Sequence, residues 1–514
     1  MAAERVSLTE LVGTLSLAAD LGLGQPLEHL ARSCLIATGL ADRMGMTPTD
    51  RQTTYQLALL VWVGCTADSH ETAARFGDDI ALRAGVYDVE IGSSAMLGYL
   101  VRRAGSDGGL VRRARNAAAL IATRGAVVRT SLVAHCQVTG QLAARLGLDP
   151  AVRACLAQTF ARWDGRGEPA GLAGEQIALP MRVVHLADLV EVHHRLGGTE
   201  AAVATAQQRS GSSLDPGVVA AFVECAAPLL DGLPDESSWA ELIAADPAPR
   251  YLDVDELDRA LEAVADFVDL KSPWFVGRSR EVADLAAAAA TRLGLPDVSV
   301  VRRAGLLQGL GRTGIPNTVW DKPGPLTELE RERMQLHIYY TDRMLRRIPA
   351  LAPAGDVASM VQERLDGSGY HRGIGSATLP IAARVLAAAD SYHALTRPRP
   401  HREARSAEAA ALELRAQVRA GQLAADAVEA VLVCAGHRPR RATAGPAGLT
   451  PREIEVLALV ARAASTRETA RELGISPKTV GNHIDRIYQK IGVSTRAGAA
   501  LFAMEHGLLS RAPS

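Results

Sequence analysis

Apolar residues recur at three- and four-residue spacing through long Ala/Leu-rich segments of this chain; β-branched runs are few, and short Gly/Pro breaks separate the segments. That period is helical, so the expected fold is all-α. The pattern is sharpest near the C-terminus. Thr450-Pro451-Arg452-Glu453 and Ser465-Thr466-Arg467-Glu468 each place a hydroxyl three residues before a glutamate that reaches back to the cap. Ser476-Pro477 places a cap before a proline at the first helical position. Leu449 and Ile454 stand at the staple positions around the first cap. Gly474 falls where a short turn must join the second helix to the third. On the third helix Ile484, Ile487, Tyr488 and Ile491 form a buried stripe, while Asn482, Asp485, Arg486 and Gln489 repeat the spacing on another face. A solvated polar face is ordinary for one amphipathic helix. Three capped helices at these spacings predict a helix-turn-helix whose polar face enters a major groove, with Lys478, Lys490 and Arg496 on flanking phosphates.

Charge changes the picture in the same direction. Residues 437–514 hold 12 Lys+Arg against 6 Asp+Glu, a net of +6, and the remaining 44 basic and 51 acidic groups leave residues 1–436 at −7. A basic tail on an acidic body suits phosphate recognition by the tail alone. HRPRRATAGPAG, residues 437–448, reads as a linker. The 514 residues suggest about three domains. No apolar run approaches a membrane span and no signal peptide is expected. The six cysteines are scattered without a CxxC pair, as buried thiols in a reducing cytoplasm would be.

The body carries a diverged internal repeat. Asp164-Gly-Arg-Gly-Glu-Pro precedes Asp188 by 24 residues, and Asp366-Gly-Ser-Gly-Tyr-His precedes Asp390 by the same 24. Two helical domains, 1–245 and 250–436, are therefore expected, divided at ADPAPR.

Residues 449–514, through LTPREIEVL, SPKTVGNHI and KIGVSTRAGAA, resemble the LuxR-type (NarL-like) DNA-binding domain, a four-helix unit. The resemblance implies that Lys478, Thr479, Val480, Asn482, His483 and Lys490 face DNA; with Arg486 and Arg496 from the spacing, and Thr450, they make up the expected DNA-binding set. Gly481 and Asp485 depart from the commonest pattern, which leaves the base preference open.

The second repeat, through GIPNTVWDKPGPLTELERERMQLH, RLDGSGYHRG and ARVLAAADSYHALTRPRPHREA, is similar to the HD-GYP branch of the HD phosphohydrolases, whose His and Asp side chains hold two or three metal ions. Only His337 and Asp390 match those ligands. Arg278 stands at the first-helix His, Gln308-Gly309 at the His-Asp pair, and Val361-Gln362 at the paired His. The first repeat looks like a more distant HD domain: His29, His135 and Asp188 match, but Val61-Trp62 and Thr159-Phe160 replace the other ligands. With help from Asp68 or His70, the first repeat's survivors suffice for at most a single metal ion; isolated histidines in helical cores are more often structural. No cofactor is expected.

The reading that follows is two tandem, catalytically silent HD-type domains and a C-terminal helix-turn-helix: a cytoplasmic bacterial transcription regulator binding double-stranded DNA, as a homodimer held by the body, under a small-molecule effector. His29, Cys65, Asp68, His70, His135, Arg162, Asp164, Arg182 and Asp188 form the expected lining of the first cleft. The alternative is a working metal-dependent phosphohydrolase with an attached DNA-binding domain.

Overall fold

The computed structural model describes residues 5–90, 93–106, 108–123, 126–233, 237–438, 446–462, 464–493, 495–506 and 508. Helices carry the fold, and β-structure among the described residues is limited to three isolated bridges, such as Ser7–Tyr251. None of these helices is long and apolar enough to cross a membrane. All six cysteines are free thiols.

Residues 1–435 form one compact unit and residues 436–514 another. The expected linker lies largely outside the described residues, at 439–445.

Within the first unit the repeat is a structural one. Helix Leu8–Leu23 ends near Asp20, whose carboxylate accepts the Leu30 N–H at 3.0 Å; helix Val254–Asp269 ends on Asp269, which accepts the Ser279 N–H at 2.7 Å. The next helices open at the equivalent residues His29 and Arg278, each behind a residue with positive φ, Glu28 or Gly277. Further along, Gly64 and Gly311 let a short 3-10 turn lie against the helix that carries His135 or His337. A Cβ on Gly64 would meet the His135 carbonyl at 2.6 Å, and one on Gly311 the His337 carbonyl at 1.9 Å, so neither position admits a side chain. Last come helices Leu179–Arg209 (broken at Gly197–Gly198) and Ile381–Thr396, which bear Asp188 and Asp390.

The repeats differ most between the tight glycine and the histidine. That interval is 71 residues from Gly64 to His135 and 26 from Gly311 to His337, an excess of 45 in the first repeat. The excess folds as short helices, including Ser69–Phe76 and Ser94–Arg103, with a small apolar cluster of their own built on Phe76, Tyr99 and Leu100.

The repeats do not pack as separate bodies. One continuous apolar core runs from Val6 to Leu432. Helix Leu8–Leu23, buried on nearly every face, packs both on His29–Arg43 and on the turn Leu310–Gly314 of the other repeat. Lys271 and Asp79, both fully buried, pair across the seam at 2.7 Å, and the Asn317 N–H adds a bond to Asp79 at 2.8 Å. The interruption at ADPAPR is thus a connection between helices rather than a break between cores.

In the tail the capping boxes at Thr450–Glu453 and Ser465–Glu468 form, and helices Pro451–Ala461, Thr466–Glu472, Pro477–Ile491 and Arg496–Glu505 follow. Leu449, Ile454, Val480 and Ile487 make its core, with Ile484, Tyr488 and Ile491 against it. Gly474 turns the chain at φ +64° between the second and third helices.

Candidate functional site

In the first repeat, the added helices and the end of helix Ala126–Arg145 roof a cavity of about 260 Å³ above Asp188. Of the expected lining, Cys65, Asp68, His135, Arg162 and Asp188 face it. Four residues do not. His29 is buried beneath the floor, His70 bonds Asp321 of the second repeat at 2.9 Å, Asp164 pairs with Arg162 at 2.6 Å, and Arg182 is held by Asp215 at 2.5 Å. Each is drawn off by a partner distant in sequence or by the tight loop that carries it. Trp62 and Phe160, read from the sequence only as standing in place of ligands, also line the cavity, as do Tyr87, Arg75, Arg83 and Arg209, which were not singled out from the sequence. Arg75, Arg83 and Tyr87 lie in the inserted segment, outside the motifs that carry the resemblance.

The floor is a hydrogen-bonded knot. Asp188 Oδ1 accepts from Trp62 Nε1 at 2.8 Å, from His29 Nε2 at 3.1 Å and from the Tyr87 hydroxyl at 3.2 Å. His29 Nδ1 bonds Glu191, which accepts Arg32 Nε at 2.7 Å. Burial opposes a charge on His29, yet the hydrogen bonds to Asp188 and Glu191 prevail and lift its pKa to about 10. Burial likewise disfavours the Glu191 carboxylate, but His29 and Arg32 hold it down at about 2. Both ring nitrogens of His29 are thus engaged by carboxylates, Nε2 by Asp188 and Nδ1 by Glu191. His135 is neutral: burial pushes it down to about 4, and Nε2 donates to the Val61 carbonyl at 2.8 Å.

The second repeat solves the same problem with a guanidinium. Arg278 Nη2 donates to Asp390 Oδ1 at 2.6 Å and Nη1 to His393 Nδ1 at 3.2 Å, while Gln362 Nε2 donates to Asp390 Oδ2 at 3.1 Å. Burial alone would raise Asp390, but Arg278 and Arg312 pull it below the usual carboxylate value. His337 is buried and pushed down to about 3, its Nδ1 donating to the Met334 carbonyl at 2.6 Å. A divalent ion cannot share this space with Arg278: the cation is already there, built into the chain. Among the described residues no three His, Cys, Asp or Glu side chains are grouped so as to hold a metal ion. In neither repeat do the residues present fit the metal cluster of an HD phosphohydrolase.

In the tail, Lys478, Asn482, Asp485, Arg486 and Gln489 are exposed on helix Pro477–Ile491, as the spacing implies; Thr479 and His483 are half-buried. One of the expected DNA contacts is corrected, and two others make bonds within the tail. Val480 is fully buried in the core, because it falls on the same side of the helix as Ile484 and Ile487. Lys490, exposed, bonds Glu453 at 2.6 Å and the Gly448 carbonyl at 2.9 Å. Arg496 donates to the carbonyls of Val460 and Ala464 at the end of the first tail helix. Thr450 caps that helix, accepting the Glu453 N–H at 3.2 Å.

Residues 262–423 match the model of the HD domain, and residues 447–503 that of the LuxR family of bacterial regulatory proteins. The chain joins an HD domain to a LuxR-family helix-turn-helix. The HD body is homologous to HD-GYP cGAMP phosphodiesterases. It is similar to 3'3'-cGAMP-specific phosphodiesterase 3 of Vibrio cholerae, 27% identical over 404 residues that span 77% of this chain and 88% of that protein. A crystal structure of a cyclic GMP-AMP-specific phosphodiesterase from V. cholerae superposes with a TM-score of 0.60 at 25% identity, covering 85% of this chain and 99% of that one. The LuxR-family tail is similar to the transcriptional regulatory protein MctR of Rhizobium johnstonii, 37% identical over 71 residues, or 14% of this chain and 33% of that protein. A LuxR-family helix-turn-helix implies DNA binding.

Proposed function

We propose that the chain is a sequence-specific transcription regulator whose HD body no longer hydrolyses phosphodiesters and instead dimerises and takes an effector into the first-repeat cavity. One observation carries this reading: in the second repeat the late aspartate, a metal ligand in the family, is bound by a cation of the chain itself, Arg278 on Asp390, from the position of the first-helix His. Removing the metals removes the activated water and the phosphate clamp together. What persists in the first repeat is a mostly apolar cavity beside buried charge, and a ligand that prefers one state of the body shifts how two tails are presented to DNA.

Two measurements on the full chain test this. Incubated with 3'3'-cGAMP and manganese or iron, it should release no linear product above a boiled control. Selection from random duplexes should enrich a site with two half-sites, bound by two chains. Turnover abolished by Asp390→Ala would restore the enzyme, and a failure to enrich any sequence would remove the regulator.

A further inference from the structure

The first-repeat cavity has a composition that narrows what it holds. Its walls are mostly apolar: Phe76, Leu100, Val128, Leu132 and Phe160 are typical of them. The carboxylates at its surface are spent, Asp188 on three donors and Asp68 on Arg83 at 3.1 Å. The cations are not all spent. Arg83 and Arg162 are paired, but among the described residues Arg75 and Arg209 have no carboxylate within ion-pair distance. The Arg209 guanidinium, half-buried, makes one long bond, from Nη2 to the Tyr87 carbonyl at 3.3 Å. Burial draws Arg209 below its ordinary pKa; Glu90 resists, and neighbouring Arg162 adds to the fall. A guanidinium in such a place seeks an anion.

From this geometry we propose that the cavity binds a small apolar carboxylic acid, a short alkyl chain or single ring, with its carboxylate on Arg209 and its body against the inserted helices. This rests on the reading of the cavity as the effector site. The volume sets the size: about 260 Å³ lies below the roughly 300–1,000 Å³ of sites for drug-sized ligands. It corresponds to about nine waters' share of liquid, which suits a molecule on the order of ten non-hydrogen atoms. The Arg209 guanidinium matches one carboxylate in a two-point contact. The site is private to the first repeat, because the helices that roof it are the 45 residues the second repeat lacks.

Calorimetric titration of the full chain with octanoate and with octanol is the test, with operator affinity followed in parallel. Octanoate should bind once per chain and octanol about tenfold more weakly or worse. Arg209→Gln should bring octanoate to the level of octanol, while Leu132→Trp, which fills the cavity, abolishes both. Val128→Phe gives the same answer with less risk to folding. Octanol binding as tightly as octanoate, or octanoate indifferent to Arg209→Gln, overturns the carboxylate and leaves the cavity as an effector site. Octanoate bound with no change in operator affinity keeps the site and overturns the sensor. Uptake of neither probe by the wild-type chain overturns the ligand class outright.

Discussion

At the scale of residues, the body turns on how a buried carboxylate is neutralised. Asp390 and Arg278 are each about 5% exposed, so neither can be hydrated if its partner is lost. Arg278→Ala should destabilise the body by about 3–5 kcal/mol, the cost of leaving one member of a buried pair alone, and urea denaturation at neutral pH measures it. The His29 knot adds a pH dependence of defined sign. His29 titrates near 10 in the folded chain against an ordinary 6.5, so the folded state holds the proton more tightly. Its contribution is complete below 6.5 and is lost as pH climbs through about 10. The denaturation midpoint should therefore fall between about pH 7 and about pH 9.5 in the wild type, and fall less in His29→Gln. Equal slopes in the two proteins would place the titrating group elsewhere.

At the scale of elements, the tail was legible and the body only partly so. Caps, staple and stripe are local signals, and Thr450, Ser465, Ser476, Leu449 and Ile487 do what their spacing says. The bonds of Lys490 to Glu453 and of Arg496 to the Val460 carbonyl were not legible, because a long exposed side chain can swing back to a carboxylate or carbonyl and nothing in the local pattern says which. In the body the repeat and the missing ligands were visible, but the pairings were not: Arg278, in a ligand's place, bonds Asp390 across 112 residues, and the retained His29 bonds Asp188 across 159. The same distinction decides a prediction on the recognition helix. Lys478 is exposed, so Lys478→Ala should weaken binding to every duplex and flatten the salt slope by about one unit. Lys490→Ala should leave that slope nearly unchanged and loosen the tail instead, by losing the Glu453 bond. Asn482→Ala and Arg486→Ala should cost about 1–3 kcal/mol at the operator and far less on scrambled DNA. Titrations at two salt concentrations separate these outcomes; equal losses on both duplexes for Asn482→Ala and Arg486→Ala would show that this face does not read sequence.

At the scale of the whole molecule, the two repeats behave as one body because their seam is core, not surface. Helix Leu8–Leu23 serves both repeats, and the Lys271–Asp79 pair sits where no water reaches it. Burial penalises both charges of that pair, pulling Lys271 below its usual pKa, while Lys271 and Arg83 hold Asp79 ionised below its own. Ligand in the first-repeat cavity must then be felt in the second repeat, since Asp79 ties the inserted helices to Lys271 and to the Asn317 N–H. Calorimetry makes this checkable. Apart from the transition of the tail, the body should unfold in a single cooperative step, with no separate melting of residues 1–245 and 250–436. Lys271→Met should lower that one step as a whole, by on the order of 3 kcal/mol, less than a full buried-pair loss because Arg83 still reaches Asp79. Two resolved body transitions in the wild type, or a Lys271→Met variant in which only one repeat melts early, would mean that the repeats fold independently and that a ligand in the first has no rigid path to the second.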